Sequence, residues 1–208
     1  MEQGTEAWHQ ARLGKLTASR ISQAIAKTKS GWGASRANLM ATLVCERLTG
    51  CPTETFKSAA MLWGTETEPQ ARAAYSLHMG EDVAQVGFLE HPRIAMAGCS
   101  PDGLVGDMGL LEVKCPQTAT HLDTLLAGTF PSEYFPQIQF QLATTGREWC
   151  DAVSFDPRLP DHLRLFVERV PRDDAYIREL EALAEEFLGE LDAKVAKLQA
   201  FRTMARAA

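Results

Sequence analysis

Asp102, Glu112 and Lys114 are the residues whose types and spacing could do chemistry. They lie in Ser100-Pro101-Asp102-Gly103-Leu104 and in Gly109-Leu110-Leu111-Glu112-Val113-Lys114-Cys115-Pro116. These runs read as two short strands joined by a glycine-rich turn, Val105-Gly106-Asp107-Met108-Gly109. Side chains two apart on a strand share a face, so Glu112 and Lys114 point one way. Leu111 and Val113 point the other way, into a core. Asp102, on the opposite arm, can lie across from Glu112. Two carboxylates and an ammonium thus converge, a set suited to metal-assisted hydrolysis of a phosphodiester. Carboxylates are hard ligands for Mg²⁺ or Mn²⁺, the ion activates a bound water, and a lysine can orient that water. The alternative is an exposed polar strand face with Glu112 and Lys114 as a weak solvated pair. Pro-Asp-Gly before the hairpin and Cys-Pro after it make the pattern more specific.

The elements that must position this hairpin follow from periodicity and stop signals. Thr5 caps a short helix that Gly14 ends, with Trp8 and Leu13 as core residues. A second helix opens at Thr17-Ala18-Ser19, runs to Ala26 and buries Ile21 and Ile25. Ser19 near its N-terminus suits either anion binding or simple capping. Residues 27–34 read as a mobile polar loop, and helices are expected over 35–49 and 58–79. Gly64 and Pro69 mark bends in the latter, flanked by Glu66 and Glu68, which read as an acidic first turn favourable for the macrodipole. Strands over 83–89 and 95–100 precede the hairpin, and helices over 119–127 and 132–145 follow it. Gln137 and Gln141 share one face of the second of these, so Gln137 can look toward the sheet or into solvent. Antiparallel strands over 149–156 and 163–170 lead to a long helix over 173–206. Its stripe of Ile177, Leu180, Ala184, Phe187, Leu191, Val195 and Leu198 packs on the domain or forms a subunit interface. The class is α/β.

Composition constrains the reading less. The 208 residues suffice for a sizeable core, and no apolar run reaches membrane-spanning length. The N-terminus is not a signal peptide. Five cysteines, at 45, 51, 99, 115 and 150, form no Cys-x-x-Cys pair and read as reduced, mostly buried cytosolic thiols rather than zinc ligands. The net charge of −6 at first argues against nucleic acid, but residues 1–50 carry a net +4 and residues 51–170 a net −8. A metal site would account for part of that negative middle. There is no internal repeat or low-complexity segment.

The run SPDGL…LLEVKCP is the core pattern of the PD-(D/E)xK nucleases, and in this wording it resembles the phage lambda exonuclease branch, the YqaJ-type alkaline exonucleases. Matching stretches follow in the family's order: Glu2-Gln3-Gly4, Ala7-Trp8-His9, Arg12-Leu13-Gly14, Thr17-Ala18-Ser19, Trp63-Gly64 with Glu68, and Gln137-Ile138-Gln139. The resemblance implies a restriction-endonuclease-like mixed central sheet flanked by helices, in a single nuclease domain over residues 1–208. It implies a Mg²⁺-dependent 5′-to-3′ exodeoxyribonuclease, with Mn²⁺ substituting, acting on double-stranded DNA ends. The product is a 3′ single-stranded overhang for recombination by strand annealing. By the same resemblance Asp102, Glu112 and the Val113 carbonyl bind metal, Glu68 supports a second ion, Lys114 orients the water and Gln137 assists. Arg12, Ser19 and Ser100 hold the terminal 5′-phosphate. Met61 stands, by position only, where the family has a leucine wedge that splits the end base pairs. A cytoplasmic homotrimer around the duplex and a single-strand annealing protein as partner are implied too. The chain departs from the family at Thr118, Ala119, Thr120 and His121, where a basic residue is expected after Cys-Pro, and Lys29 matches a basic loop position only loosely. A structure-selective endonuclease and a non-catalytic DNA-binding recombination scaffold are the other readings; the latter usually lacks a catalytic residue, and none is missing here.

Overall fold

The computed structural model describes residues 2–29, 31–53 and 58–207. The first half contains α1 (Glu6–Arg12), β1 (Leu16–Thr17), α2 (Ile21–Ala24), β2 (Lys27–Thr28), β3 (Gly31–Trp32), α3 (Ala34–Thr49), α4 (Ala59–Met79), β4 (Val83–Ala84), β5 (Leu89–Glu90) and β6 (Ala97–Cys99). The second contains β7 (Gly103–Val105), β8 (Gly109–Lys114), α5 (Thr118–Ala127), α6 (Phe135–Thr145), β9 (Trp149–Phe155), β10 (Leu165–Pro171) and α7 (Asp174–Ala207). The principal sheet has the order β10-β9-β8-β7-β4. Strands β8 and β9 are parallel and the other neighbours antiparallel, so the sheet is mixed, as expected. A parallel pair needs a long crossover, which α5 and α6 supply. A smaller sheet, β1-β6-β5, lies apart from it.

Strand β8 is apolar except at Glu112 and Lys114 because both its faces are covered. Leu110 packs with Ile138 and Leu142 of α6 and Ile177 of α7. Leu111 and Val113 pack with Ala71 and Tyr75 of α4 and with Val153 and Phe155 of β9. Each fully buried side chain of this size contributes roughly 1.5–3 kcal/mol. A slip of one residue would turn Glu112 toward the α4 side, so the register is specified from both faces. Gly103 serves close approach: a Cβ there would lie 2.1 Å from Val83 Cγ1 on β4. Gly106, at φ +49°, provides the left-handed turn between the strands.

Several expectations need correction. Helix α1 buries no residue; Trp8 and Leu13 are half-buried. The second helix is a 3₁₀ turn at Ala18–Arg20 followed by a single α-turn; Ala24 joins Ile21 in the core, and Ile25 packs against it only partly buried. Residues 27–34 include a small hairpin, β2–β3, whose Trp32 ring is approached by Lys27 Nζ at 4.8 Å and Arg36 Cζ at 4.0 Å. Helix α4 runs unbroken through Gly64 and Pro69. The carbonyl that Pro69 leaves without an amide belongs to exposed Thr65, where water can satisfy it. Residues 83–89 are not one strand, because β4 pairs with β7 and β5 with β6, in different sheets.

Helix α7 buries Ile177, Leu180, Ala184, Phe187 and Leu191 against the body, while Leu198 and Phe201 are 45% and 62% exposed. Its acidic side takes up part of the N-terminal positive charge, pairing Glu190 with Arg36 at 2.7 Å and Asp192 with Arg47. All five cysteines are free; Cys99 and Cys150 are buried, but Cys45 and Cys51 are exposed. Among the described residues no helix is long and apolar enough to cross a membrane.

Candidate active site

Gly103 pairs with Leu111 across the β7–β8 hairpin, which sets Asp102 opposite Glu112. Asp102 Oδ2 accepts a hydrogen bond from the Val113 amide at 2.7 Å. Glu112 is 1% exposed. Its Oε1 accepts from Lys114 Nζ at 2.6 Å and Gln137 Nε2 at 2.5 Å, and its Oε2 accepts from Gln141 Nε2 at 2.6 Å. Gln137 and Gln141 stand one turn apart on α6, above the Leu110 face of β8, so both amides reach one carboxylate. A buried carboxylate is tolerated only with such donors around it. Arg147 Nη1 donates to the carbonyls of Gly106 at 2.8 Å and Gly109 at 2.7 Å and so pins the turn.

The electrostatics favour a cation. Burial, then the like charges of Glu112 and Glu68, raise the Asp102 carboxyl well above the usual carboxylate range. Burial opposes the Lys114 charge, but Glu112 and Asp102 outweigh it and hold the ammonium above the usual lysine range. A divalent ion would relieve this crowding of negative charge. The side chains gathered here offer carboxylate oxygens, hard donors of the kind that divalent cations take. Among the described residues no three His, Cys, Asp or Glu side chains gather into a metal cage.

A second polar cluster adjoins the hairpin. Arg12 Nη1 donates to Ser100 Oγ at 3.0 Å and Nη2 to Ser19 Oγ at 3.5 Å. Thr17 Oγ1 lies 3.2 Å from Ser19 Oγ, and Trp8 Nε1 donates to Ser100 Oγ at 2.9 Å. The Arg12 guanidinium also sits 4.1 Å over the Trp8 ring. Burial and then neighbouring Arg20 push its pKa down to about 10, so it is charged at neutral pH. Among the described residues Arg12 makes no ion pair: hydroxyls and a ring hold a cation that lacks an anion.

The remaining residues separate. Glu68 lines a cleft of about 810 Å³ with Asp102, Trp8, Arg72 and Gln85, and its Oε1 accepts from Arg72. Met61 is 55% exposed in the first turn of α4. His121 is fully buried between Ser154 Oγ at 2.7 Å and the Leu163 carbonyl at 2.8 Å, and Thr118 donates to Asp156 at 2.7 Å. These two are structural, while Thr120 is exposed. A guanidinium does reach the Cys115-Pro116 corner, from elsewhere: Arg158 Nη2 donates to the Pro116 carbonyl at 3.2 Å. Sequence reasoning left Gln141 out of the site, although its i+4 spacing from Gln137 was a usable signal. It also took Trp8 for core; nothing local marks Trp8 or Arg147, because their partners lie 92 and about 40 residues away.

Comparison with known proteins agrees with this geometry. Residues 7–148 match the YqaJ-like viral recombinase domain family. The chain is 51% identical to the alkaline exonuclease LHK-Exo from Laribacter hongkongensis, over 98% of this chain and 100% of that one, with a TM-score of 0.89. The same values hold for LHK-Exo in complex with dAMP. A phage-related exonuclease from Haemophilus somnus 129PT shares the fold at 15% identity and a TM-score of 0.64, over 86% of this chain and 96% of that one. No curated protein matches the chain. Matched to one family over most of its length and to an exonuclease over nearly all of it, the chain belongs to the YqaJ-like viral recombinase domain family and is an exonuclease of the alkaline type.

Proposed function

We propose that this exonuclease depends on Mg²⁺, with Mn²⁺ substituting, and digests one strand of linear duplex DNA from its 5′ end. The 3′ single-stranded tail it leaves would serve recombination by strand annealing, with an annealing protein as partner. One observation carries the directionality: the unpaired Arg12 cation is bound to Ser100, two residues before Asp102. A terminal 5′-phosphate carries close to two negative charges, and arginine offers it a planar pair of donors. Arg12, Ser19 and Ser100 could hold that phosphate while the next phosphodiester lies over the hairpin. LHK-Exo binds dAMP, and nucleoside monophosphates are the product class of exonucleolytic DNA digestion.

In this reading Asp102, Glu112 and the Val113 carbonyl hold one ion and Glu68 supports a second. When bound, the metal supplies an activated water and takes up phosphate charge. Lys114 spends one N–H on Glu112 and keeps two with which to orient water. Gln137 and Gln141 fix the Glu112 carboxylate, so it need not reorganise during reaction. Met61, exposed in the first turn of α4, would be the wedge that meets the end base pairs. Leu198 and Phe201, exposed toward the outer end of α7, would take part in a subunit contact of a trimer of chains that each work as one nuclease domain over residues 1–208. Free thiols suit the cytoplasm.

Digestion of linear duplexes blocked at one end or the other tests the reading. Blocking 5′ ends should stop digestion, blocking 3′ ends should not, and closed circles should survive. EDTA should abolish activity, and Ca²⁺ should permit DNA binding with little cleavage. Cutting of closed circles, or full activity in EDTA, would overturn it.

A further inference from the structure

Glu68 does not stand alone in the cleft. Arg72, one turn along α4, donates Nη1 to Glu68 Oε1. The other edge of that guanidinium is occupied as well. With the Gln85 amide turned so that its oxygen faces the arginine, it accepts from Arg72 Nε at 2.8 Å and Nη2 at 2.6 Å. Gln85 lies just after β4, in a different element, and lines the same cleft. The planar fork is therefore held at one edge by Gln85 and aims its remaining nitrogen at Glu68. Glu68 Oε2 has no hydrogen-bond partner among the described residues. The chain Gln85–Arg72–Glu68 thus fixes one carboxylate oxygen and leaves the other free in a cleft that Asp102 also lines. A carboxylate that must take a cation is commonly held in this way by a neighbour that does not itself touch the ion.

We infer that Arg72 and Gln85 are positioning residues for Glu68, holding its free oxygen ready for a divalent cation. The inference rests on the reading of Glu68 as a cation-binding residue. It separates from a simple charge effect by sign. An arginine acting only through its charge would repel the ion, so its removal would tighten binding; one acting by orientation would have the opposite effect. Lysine at position 72 keeps the charge and loses the fork.

The test is Mn²⁺ binding to the full DNA-free chain by titration calorimetry, with thermal melting in EDTA as a check on folding. Arg72→Gln, Arg72→Lys and Gln85→Leu should each weaken Mn²⁺ binding at the affected site about tenfold or more, the lower end of what such supporting residues contribute. In a Glu68→Gln background, Arg72→Gln should add nothing. Gln85 is exposed, so its variant folds even where an Arg72 variant does not. Wild-type or tighter Mn²⁺ binding by Arg72→Gln or Gln85→Leu, while Glu68→Gln binds weakly, overturns the positioning role alone. A further loss on adding Arg72→Gln to Glu68→Gln overturns it too. Wild-type binding by Glu68→Gln instead overturns the reading of Glu68, and the positioning role with it.

Discussion

Strands β8 and β9 lie side by side and each brings carboxylates into the interior, but their charges are met differently. At β9, Asp151 accepts from Arg169 Nε and Nη2, both at 2.8 Å, and from Tyr75 Oη at 2.7 Å. Just past its end, Asp156 accepts from Arg158 Nε at 2.7 Å and Nη2 at 3.0 Å and from Thr118 at 2.7 Å. An arginine fork cancels each charge and fills the lone pairs, so these sites are closed. Glu112 on β8 is met by two neutral amides and one ammonium, and that ammonium is shared with Asp102. Two carboxylates against one lysine leave one negative charge over. The Arg12 cluster is the converse, a cation among neutral hydroxyls. Buried charges that are already cancelled hold the fold together; those left over are the ones our proposal assigns to an ion and a phosphate.

This contrast predicts that substitutions of the charged residues on β8 remove activity even where the variant is folded, whereas those at β9 cost stability and leave activity. The largest effect is expected for Lys114→Ala, which removes an electrostatic group at the reacting centre. Digestion of a linear duplex should slow on the order of 100-fold or more, measured at a temperature where thermal melting shows the variant folded. Wild-type rates would detach the hairpin from the chemistry.

Next is Asp156→Asn. Burial works against the charge of Asp156, yet hydrogen bonds from Arg158 and Thr118 hold its pKa down to about 2. An unfolded aspartate titrates near about 3.9, so the folded state is favoured by the ionised form. That stabilisation, about 2 kcal/mol, is complete above about pH 5 and is lost as pH falls toward about 2. Urea unfolding should find the variant weaker by this amount at neutral pH and equal to wild type near pH 2. DNA digestion at neutral pH should be unaffected; a large loss of activity would erase the distinction between the two strands.

The smallest effect concerns Arg12→Ala. One charge-assisted hydrogen bond to a terminal phosphate, at roughly 1.5 kcal/mol, corresponds to about tenfold in rate. Duplexes bearing a 5′-phosphate should lose about that much of their advantage over 5′-hydroxyl duplexes. Equal slowing of both substrates would return Arg12 to a structural role at the end of α1, where a cation is also favoured.

Local pattern reached far at β8. Leu111, Glu112, Val113 and Lys114 follow a period of two, and that period alone placed Glu112 and Lys114 together and sent Leu111 into a core. Asp102 opposite Glu112 followed from the short turn, whose length sets the hairpin register. The long helices, the parallel-crossover segment and the apolar stripe from Ile177 to Leu191 were legible for the same reason: each is a periodic signal contained within a few turns of chain. Recognition of the nuclease family rested on these same residues.

Where partners are distant in sequence, periodicity carried no information. Trp8 looks like any amphipathic-helix tryptophan until Ser100, 92 residues away, receives its indole N–H. Residues 83–89 look like one strand until two sheets compete for their backbone amides. Glu68 and Arg72 look like any i,i+4 helix pair until Gln85, from beyond β4, takes the other edge of the guanidinium. Asp151 and Asp156 are as acidic on paper as Asp102 and Glu112. Only the packed chain decides which carboxylates meet an arginine fork, because cancelling a buried charge requires contact at hydrogen-bond range, and contact between distant segments is set by tertiary structure.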